Sequence, residues 1–458
     1  SKRKNDENFC QGLLDDVIPY GPEVVAYYER PWNKQLRQLY SGQGIEWGKL
    51  TVNQILKQQL GGQIEPERVH SYNHHLSHAA AGFQTSTFDR ATVVVIDAIG
   101  EWDTISIWGA EYNNGRAKYT RLWGQKYPHS IGLFYSAMTQ RAGLKPNEEE
   151  YITMGMAAYG NSDYNNIVQQ KVLVHEYKVL FKENMHLGLS PDFCDGASIE
   201  QIAHSAQNLA EILILNVIYR AKKLRWSDNL VYMGGVALNC SANRNIGAYF
   251  DKVWIMPNPG DAGSSLGAAA LALGSRVNWT SAYLGHDIPG PYPVNGLLDR
   301  LLTESIVGVA SGRAEFGPRA LGNRSLLADP RGSTIKEKVN EIKRRQKFRP
   351  FAPVILEELA DEYFDMPRGF HDSRYMQAVA DCRYPDLFPA IVHHDGTSRV
   401  QTVPRDGSGI RELLEKWFVM TGCPMLLNTS LNIRGEPMVN DRTDADRFER
   451  LYGVKVCS

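Results

Sequence analysis

The residues Ala91-Thr92-Val93-Val94-Val95-Ile96-Asp97 form a continuous apolar run closed by one carboxylate. A short apolar run bounded by turn residues predicts a strand buried on both faces. Gly100 permits a turn, and Thr104–Trp108 predicts the returning strand. Glu23–Tyr28 also has strand character. Residues 206–224 carry apolar side chains at helical spacing and close on Lys222-Lys223, which suits the last turn of a long helix. A regular alternation follows: strand Asn229–Met233, turn Gly234-Gly235, helix Asn239–Phe250, strand Lys252–Met256, a Pro/Gly break, and helix Ser265–Leu273. This predicts an α/β layer architecture with ligand-binding turns at the carboxyl ends of strands. Residues 284–297 contain three prolines and three glycines, which places a domain boundary there and divides the chain into 1–290 and 291–458.

Candidate chemistry falls on the edges of these elements. His74 and His78 are spaced i, i+4, so on a helix their imidazoles share one face and can share a metal ion. Asp97 ends the buried strand, and two histidines with a carboxylate form a common ligand set for Fe(II) or Zn(II). His75 lies about 100° around the helix from His74 and faces second-shell groups or substrate. Asp261 opens the turn Asp261–Ser265, either as a helix N-cap, as a metal ligand, or as both. Gly234, Gly235 and Asn239 form a strand-to-helix turn that suits phosphate, although Asn239 also suits a cap. Gly260, Gly263 and Ser264 leave room for a nucleotide against the backbone. Two imidazoles, two carboxylates and a phosphate-cradling turn together point to a metal-assisted reaction on a nucleotide.

Charge sharpens this for the second half. The whole chain is at −1, which gives no general attraction to nucleic acid or acidic membranes. From Arg313 to Arg349, however, eleven Lys/Arg face four Asp/Glu, a local net of +7. Within it Arg319 sits in a Gly-Pro-Arg context and Arg349 in Phe-Arg-Pro, stiff settings that suit fixed guanidinium groups on phosphate, and Arg324 follows five residues after Arg319 in the same segment. Lys343, Arg345 and Lys347 belong to the same stretch, while Lys336, Lys338 and Arg344 read as a solvated face. Ser430 and Asn432 lie two apart, so on a strand they face one side. Cys10, Cys194, Cys240, Cys382, Cys423 and Cys457 form no C-x-x-C pair, consistent with reduced thiols in a cytoplasmic enzyme. No apolar run reaches the ~20 residues of a membrane span.

The segments Asn73–Ala80, Tyr151–Gly160, Gly234–Asn239, Asn258–Gly267, Glu315–Ser325, Arg349–Pro353 and Asn428–Glu436 resemble those of the nodulation-type and tobramycin-tailoring O-carbamoyltransferases, in the family's order. The resemblance implies an α/β protein: an actin/hexokinase-like (ASKHA, Kae1-like) ATPase-fold domain followed by a YrdC-like twisted α/β domain. It implies a divalent metal, Fe(II) or similar, on His74, His78, Asp97 and Asp261, and ATP with Mg²⁺. It further implies nucleotide contacts through Gly234, Gly235, Asn239, Gly260, Gly263, Ser264, Ser430 and Asn432. Catalytic roles fall to Lys343, Arg349, Arg319 and Arg324; the family's K-x-R pair maps to Lys343/Arg345 or to Lys347/Arg349. Carbamoyl phosphate and ATP would give carbamoyladenylate and pyrophosphate in the second domain. The carbamoyl group would then pass to a hydroxyl of a small molecule, a sugar or a hydroxymethylated nucleobase. A homodimer is compatible with this.

Two other readings compete: a metabolite kinase on the same ATPase fold, and a non-catalytic nucleotide-binding scaffold. The kinase leaves the basic second half unexplained. Ser1–Asn8 is polar and opens no element, which predicts roughly 30–40 further residues before Ser1, enough for the family's leading hairpin at ~3.3 Å per strand residue.

Overall fold

The computed structural model describes residues 14–15, 17–61 and 66–458. Ser1–Asn8 and Cys10 lie outside the described residues, and with them the expectation of a preceding hairpin.

The first half is built on a five-stranded sheet. Its elements are helix α1 (His74–Thr85), strands β1 (Arg90–Gly100), β2 (Asp103–Asn113) and β3 (Arg116–Lys126), helices α2 (Ile131–Arg141) and α3 (Ile199–Lys223), strands β4 (Asn229–Met233) and β5 (Lys252–Trp254), and helix α4 (Asp261–Leu273). The strand order is β3-β2-β1-β4-β5, antiparallel in the β1–β3 meander and parallel from β1 through β5. The pleat alternates side chains between faces. Val94 and Ile96 enter a core with α2 and α3, whereas Val93 and Val95 pack with Ala79, Ala81 and Phe83 of α1. Continuing that alternation puts Asp97 on the α1 face, the face that carries the two histidines.

The sequence reading of β1, β2 and β4 agrees with the structure to within a few residues, and the long helix expected over 206–224 is α3, which begins earlier, at Ile199. The helix expected over Asn239–Phe250 is instead two short pieces, Cys240–Asn243 and Ile246–Ala248, preceded by a turn of helix at Gly235–Leu238. Tertiary contacts explain the break. Asn243 spends its amide on the Ala237 and Gln377 carbonyls, and a Cβ on Gly247 would stand 1.6 Å from the Arg368 carbonyl oxygen. The helix expected from Ser265 begins at Asp261, with Gly260 at the cap position. Asp261 is therefore the first helical residue, not the cap, and its carboxylate is free for other work.

The second half holds α5 (Val294–Glu304), β6 (Ile306–Ala310), β7 (Arg324–Ala328), α6 (Ile335–Ile342), β8 (Ala352–Leu356), β9 (Gln401–Val403), α7 (Gly409–Thr421), β10 (Met425–Ser430), α8 (Arg442–Tyr452) and β11 (Val456–Cys457). These six strands form one mixed sheet, ordered β9-β8-β10-β7-β6-β11, with its own core around Leu326, Ile355, Leu413 and Trp417. Residues Tyr283–Ile288 pair antiparallel with Gly312–Glu315. The stretch read as a boundary therefore includes a strand attached to the second half.

Candidate active site

Asn73 starts α1 by accepting a hydrogen bond from the Leu76 amide at 3.0 Å, so the helix begins at His74 and places His78 one turn on. Glu101, 2 % exposed and in the left-handed region at φ 58°, holds that helix start in place. Its carboxylate accepts from the His74 amide at 3.2 Å and from Arg30 and Asn33. A negative charge at a helix N-terminus is favourable. On the other side, a Cβ on Gly267 would stand 1.8 Å from the Ser77 carbonyl oxygen, so glycine there lets α4 press against α1. That contact brings Asp261 to the histidines.

Four donors result. The Nε2 atoms of His74 and His78 are 3.1 Å apart. Asp261 Oδ1 lies 3.3 Å from His74 Nε2 and 3.2 Å from His78 Nε2, and Asp97 Oδ2 lies 3.4 and 3.6 Å from the same atoms. Ligands at ~2.1 Å from a tetrahedral ion stand ~3.4 Å from one another. The spacing therefore fits one divalent ion without rearrangement, and the four candidate atoms lie within 4.8 Å of one another. Supporting contacts aim them. Asp97 Oδ1 accepts from the Gly235 amide at 3.2 Å, leaving Oδ2 for the imidazoles. His78 Nδ1 lies 3.1 Å from Ser264 Oγ. His74 Nδ1 has no hydrogen-bond partner, and its nearest ionic neighbour is Glu29 Oε2 at 3.6 Å.

The charges of the four groups depend on one another. Burial pushes His74 down, but Asp261, Asp97 and Glu29 outweigh it and raise the imidazole well above its ordinary value. Burial likewise lowers His78, and Asp261 and Asp97 reverse it. Burial raises Asp97, and hydrogen bonds from both histidines hold it well below the carboxylate range. The imidazoles thus hold protons where an ion would otherwise neutralise the carboxylates. His75 is different. It is fully buried, with Nδ1 2.8 Å from Ser106 Oγ, and burial followed by the two neighbouring histidines keeps it well below its usual value. It is a neutral packing residue and faces neither metal nor substrate.

The predicted phosphate turn lies beside this centre. Gly234 has φ 92°, and a Cβ there would strike the Ile96 carbonyl oxygen at 2.1 Å. Only glycine fits that turn. Gly260 stands next to Gly235. Asn239 takes the capping role, accepting from the Ala242 amide at 3.1 Å and exchanging hydrogen bonds with Gln207. Ser264 is fully buried behind His78, and Gly263 packs on the Asn258 carbonyl, so both support the centre from within.

The second half gathers a cluster of cations. Lys343, 4 % exposed, donates to the carbonyls of Ser430 and Asn432 and to the Asn432 side-chain oxygen at 3.1 Å. β10 ends at Ser430, so Asn432 lies in the turn beyond it rather than on the strand, yet the Ser430 and Asn432 side chains meet at 2.6 Å. Burial, then Arg345 and Arg349, push Lys343 well below the usual lysine value. Burial and then Arg349 and Arg399 pull Arg345 down to about 8; burial and then Arg399 pull Arg319 down to about 9. A guanidinium keeps its proton in water, so these shifts express first the burial of the cations and then their crowding, and a bound anion would offset both. Arg399 Nε is buried without a hydrogen-bond partner. Lys347, by contrast, pairs with Glu337 on the surface at 65 % exposure. Of the two K-x-R pairs, Lys343/Arg345 is therefore the inward one. Arg324, fully buried, spends its guanidinium on the carbonyls of Ser311, Gly312, His286, Asn323 and Asn440. It is a brace with no donor left over for phosphate.

The comparisons place these two clusters in known company. A carbamoyltransferase N-terminus model matches residues 34–270, and a carbamoyltransferase C-terminus model matches residues 298–456. The chain belongs to the carbamoyltransferase family. Nodulation protein NolNO of Sinorhizobium fredii is 30 % identical over 92 % of this chain and 68 % of its own length. Nodulation protein U of Bradyrhizobium diazoefficiens is 30 % identical over 96 % of this chain and 82 % of its own. The uncharacterized protein sll1178 of Synechocystis sp. is 35 % identical over 82 % and 72 %. The protein is thus a carbamoyltransferase enzyme with an α/β fold. Among the described residues, no helix is long and apolar enough to cross a membrane.

Several contributors to this carbamoyltransferase site gave no signal in the sequence. Glu29 and Glu101 reach it from loops remote in the chain. Tyr151 lies in a recognisable family segment, but its role under the Arg349 guanidinium, 4.8 Å from the ring centre, needs the fold.

Proposed function

We propose that this chain is an ATP-dependent O-carbamoyltransferase working through a carbamoyladenylate, on an ASKHA-type first domain and a YrdC-like second one. The observation that carries the proposal is the pairing of a buried cation cluster, Lys343, Arg345, Arg349 and Arg319, with the His74, His78, Asp97 and Asp261 donor set. Arg319 links them: it lines one small cavity with Ala237, Leu238 and Pro259 of the first half and adds its charge to that of Arg399 and Arg349.

Atom balance defines the first step. A carbamoyl–phosphate ester of AMP requires a carbamate oxygen on the α-phosphorus. Carbamoyl phosphate must therefore give up inorganic phosphate with one water before the carbamate attacks ATP and expels pyrophosphate. Arg345, Arg349 and Arg399 would hold the transferring and leaving oxygens, and fixed cations in a dry pocket stabilise such charge strongly. Lys343 would keep the Ser430–Asn432 turn in position. In the second step a hydroxyl oxygen bonds to the carbamoyl carbon and AMP leaves. Gly234, Gly235 and Gly260 would admit the AMP phosphate against the backbone. His74, His78, Asp97 and Asp261 would hold Fe(II) or a similar ion. Such an ion polarises the carbamoyl carbonyl without redox change.

The test is isotope exchange between pyrophosphate and ATP. It should require both substrates' chemistry: exchange with carbamoyl phosphate present and none without it. A carbamoyl-phosphate-independent release of ADP would identify a kinase instead.

A further inference from the structure

A cavity of about 530 Å³ opens at the N-terminal end of α1, lined by Arg30, Asn33, Trp102, Arg121 and Lys126 above the carboxylates of Glu101 and Asp103. Its volume suits a small organic ligand. Its acids are already spent. Glu101 is held by Arg30 and Asn33, and Asp103, 4 % exposed, takes both its hydrogen bonds from Arg121 at 2.8 Å each. Lys126, exposed, faces Asp103 across the β2–β3 ladder, where Arg121 already occupies both carboxylate oxygens. The same pairs occupy the guanidinium groups of Arg30 and Arg121, so the charge left for a visitor is that of Lys126, with the half-buried Trp102 indole as an apolar platform. Its lining connects to the metal-competent centre: Glu101 accepts a hydrogen bond from the His74 amide at 3.2 Å.

We propose that this cavity is the acceptor site, and that the acceptor is a hydroxyl compound carrying an anionic group. The inference rests on the O-carbamoyl transfer proposed above. The acceptor oxygen bonds to the carbamoyl carbon, the bond from that carbon to the adenylate oxygen breaks, AMP departs with the electron pair, and the hydroxyl proton passes to solvent. An ammonium-bearing acceptor is disfavoured, because among the described residues no carboxylate lining the cavity is free to meet it.

Three monosaccharides that differ in the charge of one substituent test this: glucuronate, glucose and glucosamine. Saturation-transfer NMR on the full chain should rank binding in that order, with glucuronate about 5-fold tighter than glucose, the scale of one partly exposed ion pair. Lys126→Glu should place glucosamine ahead of glucuronate, and Lys126→Ala should flatten the series. An unchanged ranking in both variants, equal binding of the three sugars, or binding of none would overturn the assignment. Pyrophosphate release from ATP and carbamoyl phosphate without sugar reports on the underlying reaction separately. Its absence would sink the proposed function, whereas its presence with an insensitive sugar ranking would sink only the acceptor site.

Discussion

Arg349→Ala should silence adenylation while leaving the fold standing, and the structure sets both magnitudes. Arg349 lies over Tyr151, a cation–π contact worth about 0.5–1 kcal/mol at a partly exposed site. Against that loss, its removal relieves repulsion with Arg345, whose charge Arg349 opposes more than any other neighbour does. The two effects are opposite in sign, so the melting temperature should fall by less than the cation–π loss alone would give. The functional cost is larger. Deleting one fixed donor to developing charge costs about 2.7–4 kcal/mol, or 10²–10³ in rate. Pyrophosphate release from ATP and carbamoyl phosphate should therefore fall by that factor in a protein that still melts normally. His74→Ala is the control from the other cluster. It should keep pyrophosphate release measurable while a carbamoylated hydroxyl acceptor no longer accumulates. If His74→Ala stopped pyrophosphate release as completely as Arg349→Ala, with ATP still bound, the division into two half-sites would be wrong and one composite site would replace it.

Gly100→Ala would drive a Cβ to 2.5 Å from the His74 ring and 2.6 Å from His75, so it should lower metal occupancy as well as the melting temperature; normal occupancy by elemental analysis would count against the packing argument. Glu29→Gln should weaken metal binding by up to about 10-fold, because it removes the carboxylate charge 3.6 Å from His74 Nδ1 that supports the ligand, read by chelator competition in the cold where the fold is intact. Glu29→Asp should recover part of it. Metal affinity itself should depend on pH. The raised pKa values of His74 and His78 mean that protons must leave both before an ion binds, so affinity should climb with pH through those raised values and level off above them. A flat profile between pH 5 and 9, about two units either side of a free histidine, would contradict that.

The sequence revealed what depends on local period and lost what depends on contacts between distant segments. Asp97 could be placed because it closes an apolar strand, and His74 and His78 because helical spacing stacks them. The Asn239–Phe250 helix failed because Gln377 and Arg368, more than a hundred residues on, occupy the space that a continuous helix needs. Arg324 and Arg349 look alike in sequence, each in a stiff basic context. Only the fold separates a guanidinium saturated by five carbonyl groups from one set over a tyrosine ring. Asp261 was ambiguous between cap and ligand for the same reason: its role turns on where α4 begins, and that depends on Gly267 meeting α1.

Coupling between the clusters has a physical basis in the segment 149–159. Arg434 of the second half pairs with Glu149 at 3.0 Å, Arg349 covers Tyr151, and Phe348 packs edge-on to Tyr159, joining the small core of Ile152, Met156 and Ala203. Tyr159 also stacks on His394 with ring centres 4.5 Å apart. One short stretch of the first half therefore carries contacts to both the basic loop and the sheet insertions of the second. A mixed anhydride is reactive toward water, so a path between the half-sites is useful only if its walls stay closed during transfer. Packed aromatic contacts on both sides of Arg349 meet that need better than a flexible linker would. Tyr159→Ala should on this argument leave pyrophosphate release near normal but lower the ratio of carbamoylated product to pyrophosphate, as adenylate escapes to hydrolysis. An unchanged ratio would show that these contacts only fasten the two halves together.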